Sequence, residues 1–207
     1  MQFKPLLISW QGRGELPYMN SVERADLAPP VLVGKALYSA MYVNELLMYL
    51  LQRHDVHEGL FETYHECLYQ LADGRIETAL RSFELSLLAQ LGFALNIEHE
   101  AESSASPSAD VDYLYIPEYG LVPRAESGQQ AVAEPVSAYG KGVLVSGRCI
   151  TSLHRGGVEA LDGQPELLRE LKALMRSVLD HHLGGRKLRS RELFRSMPTD
   201  KPGNFRH

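Results

Sequence analysis

Cysteine is scarce in this sequence: Cys67 and Cys149 are the two among 207 residues, and they stand 82 positions apart. Two thiols cannot complete a tetrahedral zinc site, and so few read as free side chains in a reducing compartment rather than as a staple. Long apolar runs are missing too. None reaches about 18 residues, so no segment has the pattern of a membrane-spanning helix. The opening MQFKPLLISWQGRGE lacks the succession of basic region, apolar core and small-residue cleavage site that marks a secretory leader. A cytoplasmic location is the default expectation, with no membrane partner. The recognisable catalytic patterns are absent as well. There is no GxxxxGK[ST], and GRGE at 12–15 is too short to cradle a phosphate. His54 and His57, with His65-Glu66 further on, fit no zincin spacing and read as exposed histidines. Ser86 lacks the flanking glycines of a nucleophile elbow, and Asp110 and Asp112 read as solvated loop carboxylates. No catalytic residue and no cofactor is expected, so an enzyme is the weaker class.

Positive charge is in deficit overall, with a formal net charge of −5, which excludes a uniformly basic surface but not a local basic patch. The deficit is uneven. Residues 180–207 carry seven Lys or Arg against three Asp or Glu. This basic end reads either as a solvated terminus or as an electrostatic contact for phosphates or an acidic partner.

What the sequence does have is helical periodicity. In ALRSFELSLLAQLGF (79–93), Leu80, Phe83, Leu87, Leu88 and Leu91 recur at three- and four-residue steps, one continuous stripe on a 3.6-residue helix. Leu37, Met41, Leu47, Leu50 and Leu51 mark a second stretch, and Leu60, Tyr64, Leu68 and Leu71 a third. Pro165 stands at a first-turn position ahead of Leu167, Leu168, Leu171, Leu174, Met175, Val178 and Leu179. The spacing predicts helices over 36–53, 58–72, 77–91 and 165–182 that pack as one body, with Phe83, Leu87, Leu91, Leu171 and Val178 buried. Ser146 is placed to cap a short helix through about 154. Residues 98–112 are nearly devoid of apolar side chains and predict an exposed, mobile loop. VDYLYIPEYGLV predicts a small irregular hairpin rather than a sheet core, and KGVLV follows after a further polar stretch. Near the start, Phe3 to Trp10, GRG at 12–14 and Glu15 to Met19 predict strand, turn and strand, a pair that needs a sheet to join. The predicted division is a β piece at 1–28, a helical body at 29–195 and a flexible tail at 196–207.

Five segments carry a resemblance: PLLISWQGRGEL (5–16), LYSAMYVNELLMYLL (37–51), LFETYHECLYQLA (60–72), LRSFELSLLAQLGFALN (80–96) and HLGGRKLRSRELF (182–194). In order and spacing the chain resembles the RecO family of DNA repair and recombination mediators, in its proteobacterial form. The resemblance implies a mostly α fold, a helical body with a remnant N-terminal β-hairpin of an incomplete OB-fold and a small irregular β segment. It also implies that about fifty residues of a closed five-stranded barrel stand outside the sequence, through a fragment or a misplaced start. The implied activity is non-enzymatic: binding single-stranded and double-stranded DNA and single-strand-binding protein, annealing strands, and helping RecR load RecA at the nucleoid. The alternative is a protein-interaction module without annealing. Some relatives hold zinc through four cysteines; here only Cys149 stands in that region, with His99 and His154 nearby, so no metal is expected.

The DNA contacts the resemblance suggests are Arg13, Arg186, Lys187, Arg189 and Arg191. Arg191 precedes Glu192-Leu193-Phe194 and reads equally as an internal partner of a docked segment. For the C-terminal tail of single-strand-binding protein, an acidic peptide ending in apolar residues, the suggested site is Arg81 with Tyr38, Tyr42 and Tyr49. The other reading makes Arg81 a surface arginine paired with Glu77, and the tyrosines a cover for the core.

Overall fold

The computed structural model describes residues 3–12, 18–124 and 142–195. The first element is an antiparallel hairpin, β1 (Leu6–Gln11) against β2 (Tyr18–Arg24), running from Leu6↔Arg24 to Gln11↔Tyr18 with an irregularity between Ser9 and Trp10. Every residue of both strands is exposed, Leu7 and Trp10 by 62% and 68%. The second strand lies further along the chain than 15–19, and residues 13–17 fall outside the description.

Three helices follow: α1 (Gly34–Leu50), α2 (Leu60–Ala72) and α3 (Ile76–Gln90). The last two boundaries fall within two residues of expectation at each end. The first helix stops short of 53, because Leu51 already has extended backbone (φ −78°, ψ 141°) and residues 52–56 are exposed with no face to bury. Its buried face also differs from the expected one. Ala36, Ser39, Ala40, Tyr42, Val43 and Leu46 are buried, while Leu37, Met41, Leu47 and Leu50 are half-buried flanks. The helix is apolar nearly all round, so periodicity alone does not select a face, and small side chains permit the closest approach of its neighbours. On α3, Phe83 and Leu87 are buried as expected, but Leu91 is only half-buried, since it lies past the last helical residue.

A small sheet comes next: β3 (Asp112–Ile116), β4 (Gly120–Pro123) and β5 (Val143–Ser146), in the order β4-β3-β5 and antiparallel throughout. The hairpin expected over VDYLYIPEYGLV forms as β3 and β4, and it is part of a three-stranded sheet, because KGVLV supplies a second partner for β3, with Tyr113 opposite Val145. The 98–112 segment is exposed but tethered. Tyr113 donates its hydroxyl to Glu100 at 3.1 Å and accepts from the Ser108 N–H at 2.9 Å. Ser146 caps α4 (Gly147–Gly156), its hydroxyl accepting from the Cys149 N–H. Gly147 is obligatory there, since a Cβ would lie 1.9 Å from the Ser108 carbonyl oxygen. A 3-10 turn at Val158–Leu161 leads into α5 (Pro165–His182), whose bounds match expectation. Six of its seven expected apolar residues are buried and Leu168 is half-buried. A short helix, α6 (Ser190–Arg195), then packs against α1. One core runs through all of this, from Ala36 to Leu188, uniting helices and sheet. No helix among the described residues is long and apolar enough to cross a membrane.

Candidate functional site

Four helices meet around a cavity of about 420 Å³. Each contributes a cation: Lys35 in the first turn of α1, Arg81 on α3, Lys172 and Arg176 one turn apart on α5, and Arg191 on α6. Tyr42, Ile76, Leu80 and Phe194 form the apolar lining, and Glu77 is the one carboxylate among the lining residues. Partial neutralisation is built in. Lys172 Nζ lies 2.7 Å from Glu77 Oε1, while Asp180 sits between Arg176 (3.8 Å) and Arg191 (2.5 Å). Lys35 is exposed and has no ion pair among the described residues.

Beneath the cavity lies a buried polar triad. Arg81 Nη2 donates to Glu84 Oε1 at 2.7 Å, and the Tyr42 hydroxyl donates to the same oxygen at 2.8 Å. Glu84 is fully buried and Arg81 is 4% exposed. Burial pushes the Glu84 carboxyl above its usual range, against the opposing pull of Arg81 and of the Tyr42 hydrogen bond. Burial, with the neighbouring Glu84 charge, raises the Tyr42 phenol well above its ordinary value. Glu84 Oε2 and Arg81 Nε have no hydrogen-bond partner among the described residues. Arg81 is therefore a floor residue held in place by Glu84, not a surface arginine paired with Glu77, which binds Lys172 instead.

The other suggested residues separate. Tyr42 lines the cavity; Tyr38 backs it, its ring edge-on to Phe194 at 6.2 Å between centroids. Tyr49, two turns beyond Tyr42, lies under Arg186, whose guanidinium carbon is 5.8 Å from the ring and whose Nη1 donates to the Tyr49 carbonyl. Lys187 and Arg189 are exposed. Arg191 belongs to the cavity, 6.0 Å above the Tyr42 ring, so the basic end divides into an outward group and one inward arginine. Arg13 lies outside the described residues. Sequence reasoning missed Lys35, Ile76, Lys172 and Arg176; the Lys172/Arg176 pair at i, i+4 was a signal that only a neighbouring groove makes meaningful.

The end of the chain is positioned by one carboxylate. Glu45 on α1 accepts from the N–H groups of Arg189 (2.8 Å) and Ser190 (2.9 Å) and from the Ser190 hydroxyl (2.6 Å). It caps α6 from another helix and so places Arg191 and Phe194 at the cavity. Partial burial opposes the Glu45 charge, but these hydrogen bonds outweigh it and hold the carboxyl below its usual range.

The zinc arrangement of some relatives does not fit here. Cys149 is fully buried, points its sulfur at the Leu167 carbonyl and is pushed up to about 12 by burial, while His99 and His154 are exposed. Cys67 is likewise a buried free thiol, pushed by burial to about 12.

A cationic pocket with an apolar lining, gathered from four helices, has the chemistry that suits an acidic ligand with an apolar part. The family pattern described as "Recombination protein O C terminal" matches residues 33–192, which span all four pocket helices. Over 195 residues the chain is 43% identical to DNA repair protein RecO of Methylococcus capsulatus, covering 94% of this chain and 73% of that protein. To the RecO of Aromatoleum aromaticum it is 34% identical, with 95% and 76% covered, and to that of Yersinia enterocolitica 38%, with 97% and 76% covered. The chain belongs to the RecO family of DNA repair and recombination proteins.

Proposed function

We propose that the chain is a non-enzymatic mediator of DNA repair and homologous recombination. In this reading it binds single- and double-stranded DNA and takes the acidic C-terminal tail of single-strand-binding protein into the cationic pocket. It works with RecR to load RecA and to anneal strands, at the nucleoid in the cytoplasm. The pocket is the observation that carries the reading. An acidic peptide ending in an apolar side chain needs a greasy recess with cations at its mouth, and Ile76, Leu80 and Phe194 supply the first while Lys35, Lys172 and Arg176 supply the second. Arg81, committed to Glu84, shapes the floor and adds its field. The outward Arg186, Lys187 and Arg189 are suited to phosphates, which they reach without reading sequence, and Arg13 has the same role in the proposal.

A second reading, a protein-interaction module that does not anneal strands, is favoured by one feature: among the described residues the pocket lining runs from Lys35 to Phe194 and takes none from the hairpin. Both readings need the tail peptide to bind. A labelled acidic tail peptide is titrated into wild type, Lys35→Glu and Arg176→Glu, both sites being exposed enough to vary without disturbing the core. Each reversal is expected to weaken binding about tenfold or more at low salt. Equal affinity across the three proteins would remove the pocket from partner binding.

A further inference from the structure

Where α5 ends, its last two residues, His181 and His182, meet Glu118 from the turn between β3 and β4. One ligand atom from each side chain lies within 4.8 Å of the other two, and His181 Nε2 is 3.2 Å from Glu118 Oε1. The imidazole planes are nearly perpendicular, at 82° with centroids 5.2 Å apart. Phe93 stacks on His182 at 4.2 Å and 23°, which restricts that ring's plane from outside the cluster. Glu118 is held at φ +66° in a turn closed by the Tyr119 N–H donating to the Ile116 carbonyl at 3.1 Å. Three independent pieces of chain therefore converge: a helix end, a sheet turn, and the aromatic side chain after α3.

The geometry points to a metal site, with two imidazoles and one carboxylate as ligands and a borderline-soft divalent transition metal as its occupant. At bond lengths of about 2.0–2.2 Å, tetrahedral ligands sit about 3.4 Å from one another. The His181–Glu118 separation of 3.2 Å already matches that, and the other two ligand pairs lie within 4.8 Å. The C-terminal end of the α5 dipole carries partial negative charge, which favours a cation at this end. Nitrogen donors select against magnesium and calcium, which prefer all-oxygen shells, and in favour of zinc, nickel or copper. Three protein ligands leave a fourth position to water. Bound metal cross-links the β3–β4 turn to the helical body, and it uses neither cysteine.

The test uses the full, untagged chain after chelator treatment, titrated calorimetrically with zinc chloride alone and melted with and without it. Wild type is expected to take up one equivalent and to melt at a higher temperature in zinc, as binding to the folded state requires. His181→Gln and Glu118→Gln alter exposed side chains, so their zinc-free melting should match wild type while zinc affinity falls at least tenfold and the thermal shift shrinks with it. His54→Gln, an exposed histidine outside the cluster, should retain the wild-type affinity. The proposal is overturned by absence of saturable zinc binding to wild type. Unchanged affinity in both cluster variants, or loss of binding in His54→Gln instead, would overturn it equally.

Discussion

Arg81 illustrates how a residue's role is decided by partners far away in sequence. On a helix it can reach Glu77 four residues back or Glu84 three residues on, and local spacing permits both. Lys172, 95 positions distant, takes Glu77, and the buried Tyr42 hydroxyl helps fix Glu84, so Arg81 turns inward. Nothing within α3 encodes that choice. Because the pair is buried, removing one partner strands the other. Arg81→Ala should cost about 3–5 kcal/mol in urea unfolding at neutral pH, and adding Glu84→Gln should recover much of the loss. A drop of less than about 1 kcal/mol for Arg81→Ala would show that the triad does not hold the pocket floor. The carboxyl also leaves a pH signature. Its folded pKa lies above the ordinary 4.5, so the folded state keeps a proton that the unfolded chain releases. The contribution is fully present below pH 4.5 and lost as pH rises through the folded value, and Glu84→Gln should flatten the stability profile on that flank.

Among the elements, those that carry a narrow apolar stripe were legible in sequence. The bounds of α5 were readable to the residue and those of α3 to within one, because each carries an apolar stripe at helical spacing; only on α5 do charged residues mark the solvent side, since Arg81 and Glu84 of α3 are buried. The apolar surround of α1 gave its existence but not its buried face. β5 went unread as a third strand because its pairing joins Val145 to Tyr113 across intervening chain. The six-residue α6 is too short to form by propensity; it exists where Glu45, some 145 positions earlier, meets its first N–H groups. Glu45 lies outside the pocket lining, yet Glu45→Ala should loosen α6, lower stability by about 0.5–2 kcal/mol as a lost cap, and weaken tail-peptide binding through Arg191 and Phe194. Wild-type peptide affinity in Glu45→Ala would separate α6 placement from ligand binding.

In the molecule as a whole, stability is concentrated in the body around Leu87, Leu171 and Leu174, all fully buried, while the hairpin keeps its apolar side chains exposed. Leu87→Ala should therefore cost about 2–5 kcal/mol by urea midpoint, whereas Leu7→Ala on the exposed hairpin should stay within about 0.5 kcal/mol. Similar losses at the two positions would contradict this division. The family and the mostly α architecture were legible from sequence segments distributed along the chain; the pocket was legible only through Arg81 and Tyr42. Its other cations come from three helices whose spatial meeting no local pattern records. A charge-exchange cycle reads out whether those cations meet one ligand. Affinities are measured for wild type and Arg176→Glu, each against the acidic tail peptide and a version with one acidic residue changed to lysine. At one or more of the peptide's acidic positions the two reversals are expected to compensate, with a coupling of about 0.5–3 kcal/mol. Additive losses with no coupling at any acidic position would contradict it.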